Sequence, residues 1–318
     1  MFRRCAYLAI AGLVAVAGVP SVSASEHAYP NRPIALIVPW GPGGGADQTG
    51  RKIAQLLSPI LGVSIPVLNV PGATGMVGLN KLLTAPSDGY TLEVLTGDTY
   101  ALLAGPKPKF KANDILTLGI VMQLDAGFFV REDSPWKTWN DVVQAARLKP
   151  LTVAVTGFGS LDDITVNYFR AKGLRLVAVP YAKPTQRSVA VIGGHADLLY
   201  QHPGDIRNLI EGKQLRPVLF FANHRLDGFP AIPVAKELGY EITLPQLRGI
   251  MIRKGTDIAI SKRLGAALQQ AVEAPEFKAF LKQDYAAKGE YLNAARAPSF
   301  LRDWLIEIHH LLAISKSR

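Results

Sequence analysis

Two α/β lobes, each a mostly parallel sheet flanked by helices, joined by a pair of extended hinge segments, are what this 318-residue sequence predicts. Three observations carry that expectation. Strand-like and helix-like runs alternate as β-α-β-α-β from residue 34 to 97, a pattern that builds a parallel sheet with helices on its faces. The alternation starts afresh near residue 139. Between and after the two blocks lie extended apolar stretches, "VMQLDAGFFVRED" at 121–133 and "PQLRGIMIRKG" at 245–255, placed where a chain would pass from one lobe to the other and back.

The elements follow in order. "IALIVPW" (34–40) is a buried-strand run. In "DQTGRKIAQLLSPIL" (47–61) the apolar residues Ile53, Leu56, Leu57, Ile60 and Leu61 fall at helical spacing. "SIPVLNV" (64–70) is a strand, "MVGLNKLLTA" (76–85) a helix and "YTLEVLTG" (90–97) a strand. The second block reads as a helix at 139–148 that Asn140 or Asp141 can cap and a strand at 151–157, then a helix at 161–173 closed by Gly173, followed by a strand at 174–181. A helix at 186–194, strands in "HADLLYQ" and "LRPVLFF", and two terminal helices near 257–272 and 298–314 complete the chain. These assignments give a first lobe made of 25–126 plus 247–318 and a second lobe of 127–246.

The N-terminus is read apart from the fold. "MFRR" is a short basic lead, "AYLAIAGLVAVAGV" (6–19) is an apolar core too short for a membrane span, and Val22-Ser23-Ala24 offers a small-x-small cleavage site. That is a secretory signal peptide, 1–24, with cleavage expected after Ala24 and a periplasmic destination. Cleavage removes Arg3 and Arg4 from 35 basic residues and leaves 25 acidic residues, a formal charge of +8. The basic residues are dispersed, without a Lys/Arg-rich run, so they speak for attraction of anions and against a nucleic-acid surface. The one cysteine, Cys5, lies inside the signal, so no thiol, disulfide or cysteine-bound metal is expected in the mature protein.

Three chemistries are weighed for the glycine-rich stretch "VPWGPGGGADQTGR" (38–51). It formally fits G-x-G-x-x-A, but the acidic residue a dinucleotide ribose needs some 20 positions on is missing from 58–70, and Lys52 is in no P-loop context. Catalysis finds no motif. No histidine pair has metal-ligand spacing, and Ser160 in "GFGSL" is not a nucleophile elbow. No cofactor, metal or catalytic residue is therefore expected. Anion binding without chemistry remains: a strand feeding a glycine turn and a helix N-terminus offers unpaired N–H groups and the positive end of the helix dipole. "LTVAVTGFGSLDD" in the second lobe repeats the device, so two turns facing each other would clamp one small anion. Either turn, taken alone, is equally an ordinary tight β-α connection.

Several blocks together resemble one family. "YPNRPIALIVPWGPGGGADQTGRKIAQLLSPILG", "NVPGATGMVGLNKL", "PSDGYTLEVLTG", "LVAVPYAKP", "VIGGHADLLY" and "IEGKQLRPVLFF" stand in the order seen in substrate-binding proteins of tripartite tricarboxylate transporters, the Bug family, over about residues 29–280. The resemblance implies a type II periplasmic binding protein that closes on a small carboxylate by hinge motion and delivers it to the transporter's membrane permease subunits, acting as a monomer and not as an enzyme. The alternatives kept beside it are a ligand-sensing partner of a membrane kinase and a secreted enzyme.

The resemblance carries over ligand-binding residues: Pro39, Gly43, Gly44, Gly45 and Asp47 in the first turn, Gly159 and Ser160 in the second, Pro180 and Tyr181, and the segment Asp197–His202 with Gln201. The residues themselves add Trp40, Pro42, Phe158, Asp162, Asp163 and Tyr200 as candidates. Two departures from the family bear on the ligand. Asp162-Asp163 stands where the family shows small hydroxyl residues and often a histidine. These carboxylates either cap the helix or face the cleft, and in the cleft they would repel a second ligand carboxylate, favouring a monocarboxylate or a ligand carrying an amine. Gln201-His202 replaces an acidic residue and an asparagine. Trp40, Phe158 and Tyr200 suit an aromatic-friendly pocket or ordinary packing.

Overall fold

The computed structural model describes residues 29–181, 183–286 and 290–316. The signal segment and Cys5 lie outside the described residues. The chain folds around two sheets. In the first lobe β1 (Ala35–Val38), β2 (Val67–Asn69) and β3 (Thr91–Thr96) alternate with α1 (Gly45–Leu61) and α2 (Met76–Thr84), and the short α3 (Gly97–Ala101) follows β3 at once. β4 (Ile115–Leu124) leads into the second lobe through Asp125. There β5 (Ala126–Arg131), α4 (Trp139–Leu148), β6 (Leu151–Val155), α5 (Leu161–Ala171), β7 (Leu176–Pro180), α6 (Pro184–Ile192), β8 (Leu198–Gln201), α7 (Arg207–Glu211) and β9 (Leu215–Phe221) follow. β10 (Gln246–Arg253) returns to the first sheet, and α8 (Ile258–Glu273), α9 (Pro275–Gln283), the two-residue β11 (Leu292–Asn293) and α10 (Ala297–Lys316) finish the chain.

The strand orders are β11-β4-β10-β3-β1-β2 and β7-β6-β8-β5-β9. Both sheets are mixed, but most strands share one direction, as the sequence predicts: β1 to β4 in the first and β6 to β9 in the second. β1 pairs in parallel with β2 and β3, and β6 with β7 and β8, but β10 runs antiparallel to β3 and β4, and β5 antiparallel to β8 and β9. The reason lies in the crossings. β5 and β10 begin where the chain enters each lobe, at the edge where the neighbouring strands end, so they must run the other way.

Helix placement follows the apolar spacing. α1 buries Ile53, Ala54, Leu57 and Leu61 and ends at Gly62, whose φ of 73° and N–H to the Ser58 carbonyl make a left-handed cap. Gly50 lets α1 press against the sheet: a Cβ there would meet Val38 at 2.8 Å and Val94 at 3.2 Å. α8 packs on α1 and β4. α10 does not close the first lobe alone. It lies on α5 of the second lobe as well as on β4, and its buried Leu301, Trp304, Ile308 and Leu311 belong to a core that takes in residues of both sheets. Among the described residues no helix is long and apolar enough to cross a membrane.

Candidate functional site: the cleft between the lobes

The carboxyl ends of β1, β3, β6 and β8 point at one another across the two sheets, the place where open α/β sheets hold ligands. After β1 the chain makes the glycine turn and starts α1. Asp47, one turn into the helix, reaches back to it: its carboxylate accepts from the Gly43 N–H (2.9 Å), from Arg51 Nε (3.0 Å) and from Asn69 Nδ2 (2.9 Å). Burial alone would raise the Asp47 carboxyl, yet these bonds hold it below the ordinary carboxylate range. Asp47 therefore ties down the turn.

The matching turn after β6 is built the same way. Ser160 caps α5, its hydroxyl meeting the Gly157 carbonyl and the Asp162 carboxylate, and Asp163 accepts from the Gly159 N–H at 2.9 Å. Asp162 is buried, at 1 % exposure, and takes the Thr156 N–H. It also lies 3.4 Å from Nη1 of Arg187, which donates to Thr156 Oγ1 at 2.5 Å. Arg187 is buried as well, and its Nε has no hydrogen-bond partner among the described residues.

Two carboxylates of the chain itself sit where a ligand anion would be sought. Asp98, on α3 of the first lobe, accepts from the Leu161 N–H at the start of α5 (3.0 Å) and from Gln246 Nε2 (2.6 Å). Burial, and then the charge of Asp162, push its carboxyl up to about 6. Asp205, in the Gly204–Ile206 turn of the second lobe, holds Nη2 of Arg248 from β10 through both oxygens, at 2.6 and 2.8 Å. This pair lies on the first residue of α1: a Cβ on Gly45 would come within 1.9 Å of Arg248 Nη2 and of Asp205 Oδ1. Arg248 Nη1 also donates to Thr49 Oγ1 (3.2 Å) and pairs with Asp284 at 3.4 Å. Pro184 meets the turn from the other lobe, with its Cγ 2.7 Å from where a Gly44 Cβ would stand. The lobes are thus closed on each other.

Between them is a small cavity of ≈ 40 Å³. Seven of the nominated residues line it: Trp40, Gly44, Gly45, Asp162, Tyr181, Tyr200 and Gln201. Seven more do not. Pro42 and Gly43 are exposed, Gly43 on the wall of a neighbouring groove, Asp47 and Asp163 are spent on hydrogen bonds to their own turns, Ser160 is buried as a cap, Gly159 supplies the tight turn at φ 79°, and Phe158 is 67 % exposed. The cavity adds residues that the sequence reading passes over, Thr96, Asp98, Thr156, Arg187, Asp205, Gln246 and Arg248, and takes in His202, the last residue of the Asp197–His202 segment that the resemblance points to. His202 is buried, with Nδ1 3.3 Å from the Asp125 carbonyl, and burial brings its ring down to about 4, so it stays neutral near pH 7. Two signals could have pointed to the others. Asp98 directly follows a predicted strand at its carboxyl end, and Arg248 is a lone charge inside an apolar strand, which needs a buried partner. Among the described residues no group of three His, Cys, Asp or Glu is placed to hold a metal ion.

The family model described as tripartite tricarboxylate transporter family receptor matches residues 49–304. The chain belongs to that family. A relative from Cupriavidus necator, the "UPF0065 protein in gbd 5'region", is 28 % identical over 299 residues, covering 92 % of this chain and 90 % of its own. Among solved structures, R. palustris Rpa4515 with adipate superimposes with a TM-score of 0.84 at 20 % identity, covering 90 % of this chain and 98 % of that one. MatC from Rhodopseudomonas palustris with bound malate gives 0.80 at 20 %, covering 89 % and 99 %. At that identity the likeness is one of fold alone, the two-lobe fold of type II periplasmic binding proteins that the sequence predicts.

Proposed function

We propose that the tripartite tricarboxylate transporter family receptor described here is a periplasmic solute-binding protein that captures a small organic carboxylate between its lobes and hands it to the membrane subunits of such a transporter. The observation that carries the carboxylate is Arg187. It is a buried guanidinium in the wall of the interlobe cavity, oriented by Thr156 and Asp162 through one nitrogen, with a second donor left unmatched. A buried unpaired donor is costly unless something fills it, and a carboxylate fits a guanidinium best. Two structural neighbours hold malate and adipate, which supports the same reading.

Closure follows from the two-lobe build. The ligand binds both lobes only when they are together, so it favours the closed form and stabilises the fold by mass action. At a ligand concentration 100 times Kd this amounts to about 2.7 kcal/mol. A thermal-shift screen of organic acids tests the reading. A rise in Tm with one or more carboxylates is expected; a rise with sugars or peptides and none with acids rejects it. Handing over is tested separately, by capture of the permease subunits on the ligand-loaded protein.

A further inference from the structure

Beside the polar cavity lies a larger one of ≈ 440 Å³, between α6 and the Gly204–Ile206 turn with α7. Its walls are mainly apolar, from Pro184, Val189, Ile192, Ile206 and Leu209. Val189 is 63 % exposed, an apolar side chain held open to solvent on the rim of the cleft. The two cavities share Gly44, Pro184, Gln201 and Asp205 as walls. Gly44 belongs to the first lobe and the other three to the second, so the partition is itself a contact between lobes and parts when they open.

The sizes and charges of the two spaces differ in a way that selects a ligand. The polar cavity has room for about three waters, at 10–15 Å³ each, and so for one charged head. The groove is of the size that takes the body of a metabolite. No Lys, Arg or His is among the described residues that wall it, and its one charge is the Asp205 carboxylate at the junction. A second carboxylate placed there would be partly desolvated, without a cation, beside a like charge.

We infer that the ligand is a monocarboxylate with an uncharged, apolar body, its head in the polar cavity at Arg187 and its body in the groove along α6. This rests on the carboxylate-receptor reading and narrows it: di- and tricarboxylates are discriminated against by Asp205 and by the groove.

Hexanoate and adipate make the matched test, because they have the same carbon chain and differ by one terminal carboxylate. Calorimetric titration of the purified protein is expected to show hexanoate binding at least tenfold tighter than adipate. Val189→Glu, at an exposed position that the fold tolerates, is expected to weaken hexanoate at least fivefold at unchanged Tm. Val189→Lys is expected to narrow or reverse the preference by giving adipate a cation. Adipate binding as tightly as hexanoate to the native protein, or Val189→Glu leaving hexanoate unaffected, overturns the inference. If adipate or malate binds and hexanoate does not, the inference falls and the carboxylate receptor stands. If no acid of the wider screen raises Tm while sugars or peptides do, both fall.

Discussion

Replacing Gly45 with alanine would put a methyl group where Arg248 and Asp205 already meet. The pair must move, and because its two halves come from different lobes, closure suffers before the rest of the fold does. Gly45→Ala is expected to lose on the order of 1–3 kcal/mol in chemical unfolding and to weaken ligand binding in the same preparation. His202 supplies a pH test. Its ring is held neutral down to about 4, whereas in the unfolded chain it takes up a proton near 6.5. Between those values the unfolded state binds more protons, so His202 costs stability as pH falls. Asp98 and Asp284, both pushed up to about 6, act with the opposite sign: the folded state takes up protons there first, so they add stability as pH falls through 6. The native protein's pH profile is thus a sum of opposed contributions, with the buried Glu93, whose carboxyl burial also pushes up, on the side of the aspartates. His202→Gln removes one side of it, and its stability relative to the native protein is expected to improve by on the order of 2 kcal/mol from pH 7 to pH 5, read by urea unfolding at both. At this scale the sequence showed the glycine turns, because glycine and proline mark them, but not Arg187, Asp98 or Asp205. A polar residue in a helix or turn looks the same whether it faces solvent or a cleft, and only the approach of the second lobe decides which.

Helices were the most legible elements. α1, α4, α5 and α8 follow the apolar spacing of their sequences to within a few residues. α9 was not foreseen: Pro275–Gln283 begins one residue after α8 ends and buries little beyond Phe277, so its periodic signal is weak. The direction of two strands was also hidden, since the reversed course of β5 and β10 comes from where the chain crosses and not from side-chain alternation. The role of α10 is the clearest case of an element read correctly and placed incompletely. Its length shows in the sequence; its lying across α5 of the other lobe does not. Trp304 is the contact to remove. It is 5 % exposed, donates from Nε1 to the Pro245 carbonyl at 3.2 Å and faces Tyr100 with ring centroids 6.3 Å apart. Trp304→Ala is expected to cost about 3–5 kcal/mol in urea unfolding. Because the helix bridges the lobes, a single cooperative transition is expected for the variant, and separate transitions of the two lobes would contradict the bridge.

Across the whole molecule, the lobes are joined by polar contacts, Leu161 N–H on Asp98, Thr74 Oγ1–H on the Phe158 carbonyl and Arg248 on Asp205, together with the packing of Pro184 on Gly44 and of α10 on α5. Breaking a buried ion pair by removing one partner costs about 3–5 kcal/mol because the other charge is stranded. Arg248 still has Asp284 after Asp205→Asn, so the loss is expected to fall on the contact between lobes and to leave each lobe folded. Small-angle scattering should show a larger radius of gyration for Asp205→Asn without ligand, returning toward the native value when a carboxylate is added. A native-like radius in the ligand-free variant would show that closure does not rest on this pair. The placement of Asp205 has a wider consequence. Its carboxylate is tethered to the second lobe and rests on the first residue of α1, so the contact across the cleft re-forms at the high local concentration that tethering gives. A side chain of the second lobe seated on a helix start of the first thus acts as a latch, and how readily the lobes part depends in part on that one carboxylate.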